Sequence, residues 1–126
     1  MRIAAQVYAA LAAVVILFQI ALILGAPWGH LTQGGFHPGV LPLQQRLMAA
    51  ASVVLLAGMA FVVLSHAGVL ARQPWSKVAM WGVVVMGVLS VVMNLATPSA
   101  PERMIWAPVT VVMLACAVRV LRGPAP

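Results

Sequence analysis

Acid is almost missing from this 126-residue chain: Glu102 is its single carboxyl side chain, against seven Lys and Arg, for a net charge of +6. Charged residues of both signs make up only 6 % of the sequence, far below the roughly 25 % of a soluble domain. In a soluble protein such a basic excess would suggest nucleic acid, but these charges form no continuous basic surface, so no nucleic-acid partner is expected. Cysteine is as scarce. Cys116 stands alone inside an apolar run, which excludes an internal disulfide and a CxxC redox pair and leaves a buried thiol acting as a small hydrophobe. The three histidines are spread out, with His30 and His37 in one connection and His66 far along the chain. A transition-metal site needs three or four converging ligands, and only the first two can meet. Phosphate-binding loops, a dinucleotide fingerprint, HExxH and any nucleophile with a base are also absent. No catalytic residue, metal or cofactor is therefore expected.

Apolar residues fill the space, at 64 % of the chain. Four runs, 3–26, 47–64, 78–95 and 104–121, each approach the roughly 17 to 25 residues that a helix needs to cross a hydrocarbon core. The pattern predicts an all-α integral membrane protein. It reads as one transmembrane domain over residues 1–126, an up-down-up-down four-helix bundle with helices near 3–26, 44–66, 77–96 and 100–122. The first run is too long for the apolar part of a secretory signal, about 7 to 15 residues, and is expected to stay as a span. Alternating connections place Arg2, Arg72, Lys77, Arg119 and Arg122 on one side, and Arg46, Arg103 and Glu102 on the other. By the positive-inside bias both termini face the cytoplasm. Trp28 and Trp106 would mark the outer interface, and Trp75 and Trp81 the inner one.

Between the first two runs lies a stretch rich in Gly and Pro, running from Gly25 to Pro42. Gly permits positive φ and Pro fixes φ, so this stretch is built for particular turns. With Trp28, Phe36 and few charges, it either folds back as an outer cap or serves as a simple interfacial loop. In the connection near residue 100, Ser99 followed by Glu102 fits a capping box, while a lone acid in so apolar a chain also invites a binding role. Pro108 should kink the fourth helix. Gly87, Ser90 and Asn94 share one face of the third helix, the close-packed side. Gln19, Trp28, Gln33, Arg46, Asn94, Glu102 and Arg103 are the candidate ligand or partner residues, expected near the outer mouth. Arg46 and Glu102 are expected to pair there, while packing alone also accounts for Gln19 and Asn94.

In length and span count the chain resembles the small multidrug transporters and the fluoride channels. The first class carries an essential Glu in its first helix, where this chain has only Gln6, Tyr8 and Gln19. The filter pattern of the second has no counterpart, since Phe18, Phe36 and Phe61 are scattered. Four-helix thiol oxidases need more cysteines. The combination of Gly25, Pro27-Trp28-Gly29, Gly34-Gly35, Leu41-Pro42 and Arg46 with Asn94, Thr97-Pro98-Ser99 and Glu102-Arg103 resembles a group of small four-span bacterial membrane proteins. That resemblance implies a bacterial inner-membrane location and carries no activity. A bundle this small is expected to enclose little interior. The leading expectation is therefore a non-catalytic protein that associates with itself or with other membrane subunits in the bilayer. An oligomeric small-solute transporter or channel with a polar outer site is the alternative.

Overall fold

Four long helices carry the chain: α1 (Arg2–Ile23), α2 (Leu43–His66), α3 (Ser76–Ala96) and α4 (Ala100–Leu121). The computed structural model describes residues 1–123, and no strand occurs among them. At 1.5 Å per residue the helices are about 31 to 36 Å long, and all four are long and apolar enough to cross a membrane. Two single 3₁₀ turns, Gly29–Leu31 and Gln33–Gly35, lie between α1 and α2.

Each helix stops for a local reason. The first ends at Ile23 rather than at the expected Ala26, because Gly25 turns left-handed at φ 104°. Its N–H then reaches the Leu22 carbonyl at 3.1 Å, and the Ala26 N–H reaches the Ala21 carbonyl at 2.9 Å. These are the two bonds of a Schellman motif, which satisfies carbonyls that the helix end would otherwise orphan. The same motif closes α2, where Gly68 bonds to Ser65 and Val69 to Leu64. Helix α3 ends one residue before Thr97-Pro98, since a residue preceding proline avoids helical geometry. Helix α4 starts behind Ser99, whose Oγ accepts the Glu102 N–H, with Pro101 in its first turn.

Large apolar side chains face outward all around the bundle, among them Leu17, Leu43, Val54, Val78, Met93 and Met104. In water that surface would be strongly unfavourable, at about 25 cal/mol per Å²; in hydrocarbon it is the matching surface. The buried side is rich in small residues, including Ala5, Ala12, Ala49, Ala107 and Ala117, which let membrane helices approach closely.

Packing is uneven along the bundle. The core combines Ala5, Tyr8, Val63, Met80, Ala117 and Val120 with their neighbours, and so gathers the start of α1, the end of α2, the start of α3 and the end of α4. Arg2 Nη1 donates to the Gly68 carbonyl at 3.0 Å, and His66 Nδ1 lies 2.8 Å from Ser76 Oγ, both side chains being buried. Contacts are richest between α1 and α2 and between α3 and α4, with fewer between α2 and α3. Met80, near the start of α3, is fully buried, whereas Met93, near its end, is 70 % exposed. Helices α2 and α3 are thus held together at the His66–Ser76 junction and part toward the other end.

Candidate functional site

The parting of α2 and α3 leaves a cavity of about 710 Å³, within the 300 to 1,000 Å³ range of small-molecule sites. All four helices and the connection before α2 contribute to its wall. Met48 and Leu55 of α2 and Met86 and Met93 of α3 line it and are also exposed. The cavity therefore opens sideways, between these two helices, onto the surface that matches hydrocarbon. Tyr8, Met113 and Ala117 line it on the core side, where they belong to or border the packed cluster.

Its polar end is built around Glu102. That carboxyl is buried, and Oε2 accepts two hydrogen bonds, from the Gly34 N–H at 3.0 Å and from Thr97 Oγ1 at 2.9 Å. Gly34 can present its N–H in this way because its φ is 79°, a left-handed conformation that costs glycine little. Only half of the expected capping box forms. Ser99 Oγ caps the Glu102 N–H at 3.3 Å, but the carboxyl turns to Gly34 and Thr97 instead of reaching back, and the Ser99 N–H goes to Thr97 Oγ1.

The 3₁₀ turns are tied to this place by further bonds. Ser99 Oγ donates to the His30 carbonyl at 2.6 Å, and Trp106 Nε1 donates to the Leu31 carbonyl at 2.9 Å. Phe18 lies 4.7 Å from the Trp106 ring and stacks on Trp28 at 6.1 Å, with planes 6° apart. Such stacks add about 0.5 to 1.5 kcal/mol beyond area burial, so α1, α4 and the turns between α1 and α2 share an aromatic anchor. Within α4, Pro108 supplies no N–H, and the Thr110 hydroxyl donates to the Trp106 and Ala107 carbonyls beside it.

Of the seven candidate residues, Gln19, Gln33, Asn94 and Glu102 line the cavity. Gln19 Oε1 is buried and has no hydrogen-bond partner. Gln33 Nε2 donates to the Gln45 carbonyl at 2.9 Å, and Asn94 Nδ2 donates to the Ser90 carbonyl at 2.7 Å. Trp28, Arg46 and Arg103 are not part of the wall. The expected Arg46–Glu102 pair is replaced by other bonds: Arg46 Nε donates to the Leu41 carbonyl at 2.8 Å, and Arg103 donates to the Thr97 carbonyl at 3.2 Å. Each guanidinium closes a local turn, which its own helix end places nearer than the carboxyl.

Several wall residues carry no sequence signal as such. Five of the chain's eight methionines, Met48, Met59, Met86, Met93 and Met113, line the cavity. Methionine is flexible and polarisable and recurs at adaptable binding surfaces, so its abundance is the one compositional hint that was there to be read. Fold and site together define a helical membrane protein with an amphipathic internal cavity. No family model, curated protein or solved structure matches the chain.

Proposed function

We propose that this protein is a non-catalytic, multi-pass membrane protein that binds a small amphipathic molecule in the cavity between α2 and α3. In this reading the bundle is up-down-up-down in a bacterial inner membrane, with both termini cytoplasmic and the Gly/Pro-rich stretch forming an outer cap. The single observation that carries it is the roughly 710 Å³ cavity with apolar walls, a polar end at Glu102 and a sideways opening. That volume gives even so small a bundle room for a ligand. A ligand dissolved in the bilayer would enter between Met48 and Met93 without crossing water. Binding of this kind suits a carrier or a transporter subunit with its polar site near the outer face.

Association with a second copy or with other membrane subunits is the second reading, favoured by Gly58 on α2 and Gly82 on α3. A Cβ added at either meets no atom within 4 Å, so each leaves a shallow spot where another helix backbone can approach. Native mass spectrometry of the gently extracted protein separates the two. A retained small molecule at one per chain supports the binding reading, and a ligand-free homo-oligomer or hetero-complex supports association alone.

A further inference from the structure

The polar end of the cavity carries charge of one sign only. Not one Lys, Arg or His lines it, although the chain carries seven Lys and Arg. Arg46 and Arg103, the bases nearest in the expected topology, are held on the Leu41 and Thr97 carbonyls. Glu102 is therefore an acid whose hydrogen-bond donors, Gly34 and Thr97, are both neutral. Three nitrogen donors of the wall are engaged elsewhere, Gln33 on Gln45, Asn94 on Ser90 and Trp106 on Leu31, and the one other side-chain amide there, Gln19, is neutral. The one charged group of the wall is the carboxyl of Glu102, and Gln19 adds a buried, unpartnered acceptor, Oε1. The rings of Phe18, Phe36 and Trp106 line the same space, and the faces of aromatic rings attract cations.

An anionic headgroup would meet no counter-charge here and would face Glu102, a costly arrangement away from water. We propose that the cavity takes a protonated amine carried on an apolar body, with the ammonium group at Glu102 and the body between α2 and α3. The inference rests on the binding reading above and adds the class of ligand. An ammonium group supplies the positive charge that the wall lacks, and further N–H donors for Glu102, whose Oε2 already accepts from Gly34 and Thr97. The flexible methionine walls accept apolar bodies of differing shape.

The test uses the whole protein in nanodiscs of choline phospholipid and three radiolabelled probes with the same dodecyl body, headed by a primary ammonium, a hydroxyl or a carboxylate. Empty nanodiscs correct for partitioning. The ammonium probe should bind saturably and at least about tenfold more tightly than the hydroxyl probe, the scale of a charged hydrogen bond. Glu102→Gln should remove that preference while leaving the hydroxyl probe within about twofold, and the ranking in the unaltered protein decides the matter if this variant fails to fold. Nanodiscs doped with ethanolamine phospholipid identify the source of the amine. Weaker probe binding there means a lipid headgroup and unchanged binding means a free amine, and both agree with the proposal. Equal or tighter binding of the hydroxyl or carboxylate probe overturns the amine while leaving the cavity reading intact. Saturable binding by none of the three overturns both.

Discussion

Glu102 shows how one side chain can be legible in the sequence and still be misassigned in its contacts. A lone acid in a chain this apolar marks itself as a candidate, and the structure places it at the polar end of a cavity. Its partners were not readable, because they come from Gly34, a backbone N–H far away in sequence, and from Thr97. Arg46 looked like the natural partner only by charge and depth. A carbonyl five residues away won, since a bond within one turn needs no second helix to be positioned. Two double-mutant cycles check this assignment. Thr97→Val with Glu102→Gln should show a coupling of about 0.5 to 3 kcal/mol, whereas Arg46→Ala with Glu102→Gln should add to within about 0.3 to 0.5 kcal/mol. Reversible unfolding in mixed micelles measures both, and strong Arg46 coupling would restore the ion pair.

At the level of the helices, the four apolar runs were legible because nothing else in a chain produces so long a stretch without charge. Their ends were readable to within a few residues, as Gly25 and Gly68 show: each stands at a helix end and supplies the left-handed turn. The unequal packing was not legible. Apolar residues look alike in sequence whether they face lipid, a neighbouring helix or a cavity, so Met86 and Met93 gave no sign of their position. The face that Gly87 shares with Ser90 and Asn94, expected to be the close-packed side, is cavity wall at all three positions, and close packing is found at Gly87 alone. A Cβ there would come within 3.0 Å of Leu114 Cδ1, so α3 and α4 meet closely at this point. Gly87→Leu should therefore lower the thermal midpoint well beyond Val85→Leu, whose site is 56 % exposed. Overpacking of this kind typically costs about 1 to 3 kcal/mol. Equal midpoints for the two variants, compared by thermal denaturation in detergent, would remove the close contact from the account.

For the whole molecule, orientation follows from charge. Under the proposed reading, the division of five basic residues against two predicts termini inside and the Gly/Pro-rich stretch outside. In a Cys116→Ala background, Phe36→Cys should react with an impermeant thiol reagent on intact cells and Ala71→Cys should not, both sites being exposed. The reverse pattern would invert the protein in its membrane. If the splay of α2 and α3 makes a binding cavity within the bilayer, Trp106, in its wall, reports on that space. The most direct measurement is quenching of Trp106 fluorescence in nanodiscs by a dodecylamine brominated along its chain, in a protein whose Trp28, Trp75 and Trp81 are replaced by Phe. Quenching should saturate with probe and be abolished by Ser90→Phe, which fills the cavity from α3. Quenching that rises linearly with probe concentration and is the same in Ser90→Phe would mean only collisions in the lipid, and would contradict the cavity.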